Sequence, residues 1–193
     1  MIEKSDLKSY LEHVGENHPH HVLKKINKGD LIKKSVVFGY IIDDADIDKK
    51  LGDFPEGAIP YGPIYRTLKF LPEKVFDLFR MSSTIPFSDA YNAGIGECLE
   101  KSILAQLSAQ RGRDSFLISG VLEVNGGFVE AHAYNIVFRN SKPFLLDIEN
   151  PLALNSEGKV THPYIAPILG VNEKTSDIIL PEEWRQGRTY SIL

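Results

Sequence analysis

Residues 92–112 have the sequence NAGIGECLEKSILAQLSAQRG and predict a long buried helix. Four apolar residues follow the three- and four-residue spacing of a buried helix face: Leu99, Ile103, Leu104 and Leu107. The pattern predicts that the helix begins at Cys98 and ends near Arg111-Gly112. Cys98 is therefore expected at a helix N-terminus, where unpaired backbone N–H groups and the helix dipole favour a thiolate.

Three strands joined by tight turns are predicted after this helix. Residues 116–124 and 128–138 are rich in β-branched and aromatic side chains, and a turn sequence, Asn125-Gly126-Gly127, lies between them. A second turn within 139–143 leads to a third apolar segment at 144–148. Short turns between such segments are typical of an antiparallel sheet.

The pairing of these strands brings an imidazole and a carboxylate to one face. Side chains alternate along a strand, so His132 and Tyr134 share a face of the sheet. A tight turn centred on Asn140-Ser141 places Asp147 opposite Tyr134 and diagonal to His132. A thiol at a helix start, an imidazole and a neighbouring carboxylate are the groups that nucleophilic acyl transfer requires.

Two segments, GIGECLEKSILAQL (94–107) and HAYNIVFRNSKPFLLDIENP (132–151), resemble the transglutaminase-like superfamily, which has a papain-like fold and a Cys-His-Asp triad in this order. The resemblance implies an α+β fold in which the catalytic helix packs on an antiparallel β-sheet. It also implies that Cys98 is the nucleophile, that His132 is general base and acid, and that Asp147 orients the imidazole. The chain departs from the family at Tyr134, where many members have tryptophan.

The resemblance also implies an oxyanion hole. Asn92 lies six residues before Cys98, where papain-like enzymes place an amide-bearing donor, so its side chain and the Cys98 backbone N–H are expected to form the hole. Tyr91 is a second candidate donor. Asn92 is equally compatible with a role as a helix cap or in a turn.

The activity implied is that of a cysteine-dependent hydrolase or acyltransferase that acts on an amide bond of a peptide or protein through a thioester. Hydrolysis, by a protease or deamidase, is favoured because no sequence feature marks an amine site. The triad chemistry implies no metal and no organic cofactor. The segments CLEKS, LISGV and FVEAHAY of this chain also resemble the leader-peptide proteases of lasso-peptide maturation, and such a protease is one alternative.

Another alternative is a non-catalytic peptide- or protein-binding module on the same fold, with the loop 52–63 as part of its surface. Each residue of the triad also has a structural interpretation: Cys98 as core filler, His132 as a satisfied strand residue and Asp147 as a turn residue. Glu149 lies two residues beyond Asp147 on the same side, and it competes for the orienting role.

The length of 193 residues predicts a single domain. We divide it into a helical and loop-rich part (1–90), a catalytic core (91–151) and an irregular C-terminal extension (152–193). The first part is expected to hold two short helices within 1–30, a strand at 35–42 and an amphipathic helix that begins at Pro72.

Composition narrows the class further. The chain is 42% hydrophobic and 25% charged, which is typical of a globular protein. A net charge of -4 argues against nucleic-acid or membrane partners, and no apolar run resembles a signal peptide or a membrane span, so a cytoplasmic protein is expected. The single cysteine excludes an intramolecular disulfide. Nothing in the sequence indicates an oligomeric state.

Other polar groups are predicted to lie at the surface. His13, His18, His20 and His21 lack a carboxylate pattern, so a solvated turn is favoured over a metal site. Lysine pairs such as Lys33-Lys34 are interleaved with acidic residues, which is typical of a solvated surface.

Overall fold

The computed structural model describes residues 1–150, 153–154, 160–162 and 164–193. The described ranges contain six α-helices: α1 (Leu7–Asn17), α2 (Tyr61–Thr67), α3 (Pro72–Leu78), α4 (Phe87–Ala93), α5 (Cys98–Ala109) and α6 (Glu182–Arg185). A 3-10 helix spans Ile47–Leu51. None of the helices in these ranges is both long and apolar enough to span a bilayer.

Fourteen strands accompany these helices in the described ranges, which confirms the α+β class. They are β1 (Ile2–Glu3), β2 (Val22–Leu23), β3 (Leu31–Lys33), β4 (Gly39–Ile41), β5 (Thr84–Pro86), β6 (Ser115–Val124), β7 (Phe128–Arg139), β8 (Lys142–Asp147), β9 (Ala153–Leu154), β10 (Val160–His162), β11 (Tyr164–Pro167), β12 (Gly170–Val171), β13 (Ile178–Ile179) and β14 (Arg188–Ser191).

The central sheet has the spatial order β11-β8-β7-β6-β14, and β2 also pairs with β6. All of these pairings are antiparallel. Asn140 and Ser141 both have positive φ, 50° and 59°, as a two-residue turn between β7 and β8 requires. The turn pairs Arg139 with Lys142, and this register confirms the predicted hairpin.

Helix α5 packs on one face of this sheet. All of its residues from Leu99 to Ala109 are buried, so the helix is enclosed on nearly every side. Ile103, Leu104 and Leu107 belong to the same hydrophobic core as residues of β6, β7 and β8. The Asn135 side chain of β7 donates a hydrogen bond of 3.1 Å to the Ser102 carbonyl of α5. A second core, which includes Leu7 and Leu11 of α1, covers the opposite face.

The described part of the chain also contains three small sheets. Strand β4 pairs with β3 in an antiparallel manner and with β5 in a parallel manner. Strands β1, β12 and β13 form another sheet, and β9 pairs with β10. The first of these sheets lies on the side of α5, because Ile32, Tyr40 and Ile85 belong to the core of that helix.

The N-terminal part contains more strand than the sequence predicts. The second helix expected within 1–30 is wrong, because the chain forms β2 beside β6 there. The single strand expected at 35–42 is also wrong over its first half. Ser35 lies instead in the turn between β3 and β4, and its hydroxyl accepts hydrogen bonds from the backbone N–H groups of Val37 and Phe38.

The C-terminal part, expected to be irregular, supplies structure to the sheet. Strand β11 lies at one edge of the central sheet and pairs with β8, while β14 pairs with β6. Tyr164 and Tyr190 from these strands are fully buried. The prediction failed because both strands are only four residues long and β14 (RTYS) consists mostly of polar residues, so no local pattern marks them.

Candidate active site

The backbone before Cys98 ends one helix and prepares the next. Gly94 has a φ of 67°, the left-handed conformation that terminates α4. The N–H of Gly96 then donates to the Lys69 carbonyl at 3.0 Å, which holds residues 94–96 against the segment after α2. The chain can therefore start α5 in a new direction, with Cys98 as its first residue.

The first turn of α5 is closed by its own side chains. Glu97 precedes the helix, and its backbone N–H donates a 2.8 Å hydrogen bond to the carboxylate of Glu100. A Cβ atom on Gly96 would lie only 2.6 Å from the Glu100 Cβ, so glycine makes room for this carboxylate. Cys98 itself is a free cysteine and is partly exposed, which leaves its thiol accessible at the helix start.

His132 and Asp147 meet on one face of the sheet. Asp147 ends β8, and His132 lies in β7 two residues before Tyr134, which the hairpin register places opposite Asp147. The Nε2 atom of His132 lies 2.8 Å from Oδ2 of Asp147, and both side chains are buried. The hairpin thus supplies the imidazole–carboxylate contact that the sequence predicts.

Asp147 is held by several donors besides His132. Its Oδ2 accepts hydrogen bonds from the Tyr190 hydroxyl at 2.8 Å and from the Asn150 side chain at 2.9 Å. Its Oδ1 accepts the Asn150 backbone N–H at 3.2 Å. A fully buried carboxylate with four hydrogen bonds is kept ionised and immobile, as the orienting residue of a triad must be.

These contacts shift the ionisation of both groups. Burial alone lowers the pKa of His132, but the hydrogen bonds and negative charges of Asp147 and Cys98 raise it to about 10. Burial raises the pKa of Asp147. The hydrogen bond and charge of His132 lower this pKa by more than burial raises it, so the net pKa lies below its usual range. At neutral pH the pair therefore consists of an imidazolium and a carboxylate.

Cys98 and His132 line one groove of about 520 Å³, which we call the Cys98 groove. Small residues of the sheet make up part of its lining: Ser119, Gly120, Val121, Ala131 and Ala133. The hairpin between β3 and β4 contributes Lys34, Ser35 and the fully exposed Val36. The groove is open to solvent and mostly apolar.

The structure does not bring Asn92 to this groove. Asn92 lies exposed near the end of α4 and is not among the residues that line the Cys98 groove. The reason is the left-handed Gly94 and the Gly96–Lys69 hydrogen bond, which turn the chain between α4 and Cys98. Tyr91 is half-buried against the core of α5 and does not line the groove either.

Glu149, which the sequence offers as a second candidate to orient His132, is paired with Lys101 instead. Its carboxylate lies 2.5 Å from Nζ of Lys101 in α5, and the same ammonium lies over the ring of Tyr65. Asp147, not Glu149, hydrogen-bonds to His132. The competition between the two carboxylates is thus resolved in favour of Asp147 as the partner of the imidazole.

Three residues at the site were missed by the sequence reasoning. Tyr190 and Asn150 complete the hydrogen bonds of Asp147. Lys34, expected on a solvated surface, is only 17% exposed and forms an ion pair with Glu100. No local pattern marks Tyr190 or Lys34. Asn150, in contrast, follows Asp147 by only three residues in the sequence, and this spacing was a usable signal for an Asx-type turn.

The histidines near the N-terminus form no evident metal site. Among the residues whose side chains are described, no group of three or more His, Cys, Asp or Glu side chains is arranged to hold a metal ion. His21 instead contacts the Ser119 carbonyl at 2.9 Å, and with His20 it lines the Cys98 groove.

Comparison with protein-family models, with curated proteins and with solved structures finds no match to this chain.

Proposed function

We propose that this chain is a cysteine-dependent hydrolase or acyltransferase that acts on an amide bond of a peptide or protein, with hydrolysis as its main reaction. The observation that carries the proposal is the buried His132–Asp147 pair, whose imidazole lines one groove together with the thiol at the start of α5. The resemblance of the two catalytic segments to the transglutaminase-like superfamily supports a papain-like arrangement of these groups.

The proposed reaction starts from the Cys98 thiolate and the His132 imidazolium. The thiolate attacks the amide carbonyl, and the oxyanion that forms accepts a hydrogen bond from the backbone N–H of Cys98, the first residue of α5, which has no partner within the helix. His132 then gives its proton to the leaving amine as the C–N bond breaks. The product of this half-reaction is a thioester on Cys98 and a free amine.

Water completes the cycle. Neutral His132 takes a proton from water as it attacks the thioester carbonyl, and the C–S bond breaks to release the acid and the thiolate. Throughout, Asp147 stabilises the imidazolium and keeps Nε2 turned away from the thiol. The same intermediate reacts with a primary amine in a transferase, so the acceptor decides between the two activities.

A peptide or protein substrate is supported by the shape of the Cys98 groove. The groove is open rather than closed around a small ligand, and its lining offers apolar surface and small side chains next to the thiol. Val36, which is fully exposed at the rim, adds apolar surface that an extended chain can cover. Small closed cavities suit isolated side-chain amides, whereas an open groove suits a longer chain.

The proposal is tested by offering the protein a library of peptides of random sequence and analysing the mixture by mass spectrometry. Cleaved, deamidated or amine-coupled products are expected with the native protein and not with Cys98→Ala, which removes the nucleophile and keeps the fold. Identical product spectra from both proteins would refute the enzyme. Retention of peptides by both proteins without any product would favour the binding module.

A further inference from the structure

Lys34 follows β3 and turns its side chain into the protein. Its Nζ atom lies 2.5 Å from Oε1 of Glu100 and 3.5 Å from Oε2 of Glu97. The side chain is 17% exposed, in contrast to its neighbour Lys33, which is exposed. Lys34 also lines the Cys98 groove. It is thus a partly buried ammonium at the start of the helix that carries the thiol.

Glu100 is the main partner of this ammonium. Its side chain is 1% exposed, and its carboxylate accepts hydrogen bonds from the Tyr40 hydroxyl at 2.5 Å and from the Glu97 N–H at 2.8 Å. Burial raises the pKa of Glu100. The charge and hydrogen bond of Lys34 lower this pKa by more than burial raises it, so the carboxylate stays ionised. Burial lowers the pKa of Lys34, and Glu100 more than offsets this effect.

The position of these carboxylates creates an electrostatic conflict. Glu97 immediately precedes Cys98, and Glu100 follows it within the same helical turn. Two negative charges close to a thiol oppose its ionisation, because like charges disfavour the charged form. The N-terminal end of the helix dipole and the His132 imidazolium place positive charge near the same thiol. Lys34 is the cation that lies between the two opposing carboxylates.

We infer that Lys34 is a positioning residue that sustains the reactivity of Cys98 by neutralising the carboxylates of Glu97 and Glu100 at the start of α5. The inference rests on the proposed function, since it gives Lys34 a role in forming the nucleophile. Lys34 touches neither the substrate nor the reacting atoms in this account. Its ammonium acts through the field that it produces at the thiol.

Other titratable groups also lie near the thiol, and Lys34 has to be compared with them. His132 lines the groove together with Cys98, and its Nε2 atom is hydrogen-bonded to Asp147. The Glu130 carboxylate lies 3.8 Å from Nδ1 of His132, and its side chain is 42% exposed. His20, His21 and Lys33 line the Cys98 groove from exposed positions, where solvent screens the charge of Lys33. Lys34 differs from these residues because it is partly buried and ion-paired.

The test measures the rate of Cys98 alkylation by iodoacetamide between pH 5 and pH 9 in four proteins. These are the native protein, Lys34→Met, Lys34→Arg and Lys25→Met, the last being loss of an exposed lysine elsewhere. Lys34→Met is expected to slow alkylation about tenfold at pH 6 and little at pH 9, because a lost cation shifts thiolate formation to higher pH. Lys34→Arg and Lys25→Met are expected to follow the native curve.

A double variant, Lys34→Met with Glu100→Gln, separates charge from packing. Removing both charges is expected to restore the pH 6 rate to within about twofold of the native protein, because neither charge then acts on the thiol. A double variant as slow as Lys34→Met would overturn the inference, as would a native pH profile in Lys34→Met. If native Cys98 reacts like free cysteine and is indifferent to His132→Ala, the proposed function fails instead.

Discussion

Helix α5 has a buried carboxylate near each end, but the thiol and the imidazole of the proposed reaction lie at its start. At its start, Glu100 is paired with Lys34 and Tyr40, and Cys98 lies beside His132. Near its end, Asp48 of the 3-10 helix accepts hydrogen bonds from Ser108 and Arg111.

A cavity and an ion pair do not by themselves make a reactive site. The far end of α5 adjoins a cavity of about 460 Å³ lined by Asp48, Ser108 and Arg111, which is similar in size to the Cys98 groove. None of the described residues that line that cavity carries a thiol or an imidazole. It also adjoins the C-terminal end of the helix, whose dipole disfavours a nearby anion. We therefore assign chemistry to the start of α5 and structural support to its end.

The largest expected effect comes from His132→Ala. Loss of the imidazole removes the partner of the thiolate and the proton donor for the leaving group, so kcat/KM should fall about a thousandfold or more. The measurement uses a peptide that the native protein converts. His13→Ala, at an exposed position in α1, is the matched control and should keep native activity. Equal activities of His132→Ala and the native protein would remove the imidazole from the mechanism.

Asp147→Asn should have the next largest effect on turnover. The amide leaves the imidazolium without a buried negative charge, so kcat should fall about a hundredfold or more. Glu149→Gln is the control, because Glu149 pairs with Lys101 and not with His132. A larger loss in Glu149→Gln than in Asp147→Asn would reverse the assignment of the orienting carboxylate.

The ionised pair also makes stability depend on pH. The pKa of His132 is raised in the folded protein to about 10, so its contribution is fully present below the ordinary histidine pKa of 6.5. That contribution is lost as pH rises from there through about 10. Urea unfolding at pH 6, 8 and 10 should show the native protein losing its stability advantage over His132→Ala. A constant difference across this range would contradict the raised pKa.

The smallest effect is expected at the end of α5. Ser108→Ala removes the 2.7 Å hydrogen bond to Asp48 and should lower the free energy of unfolding by about 1 kcal/mol. The alkylation rate of Cys98 should not change, because the hydroxyl lies near the other end of the helix. A slower Cys98 in Ser108→Ala would show that the two ends of α5 are coupled.

The elements around the site were predictable where the signal is local. Apolar spacing from Leu99 to Leu107 marks α5, and Asn140-Ser141 sets the register between His132 and Asp147. Both depend on neighbouring residues, so one sequence contains the necessary information. The direction of the chain before Cys98 could not be predicted from these local patterns. A hydrogen bond from Gly96 to the distant Lys69 sets this direction and keeps Asn92 out of the groove.

The supporting contacts were not predictable because they join distant segments. Tyr190 reaches Asp147 across 43 positions, and Lys34 reaches Glu100 across 66. A lysine in an alternating charged segment carries no mark of burial, and Tyr190 lies in a strand of only four residues. Their partners are fixed by the packing of the N- and C-terminal parts against the central sheet.

The central claim is that Cys98 and His132 form a reactive ion pair, and alkylation of the thiol tests it most directly. Iodoacetamide should modify native Cys98 at pH 6 much faster than it modifies free cysteine, because the thiolate is the reacting species. His132→Ala should abolish this advantage at pH 6 and leave a rate similar to that of free cysteine. Slow modification of native Cys98 at pH 6, unchanged by His132→Ala, would contradict the ion pair and with it the proposed enzyme.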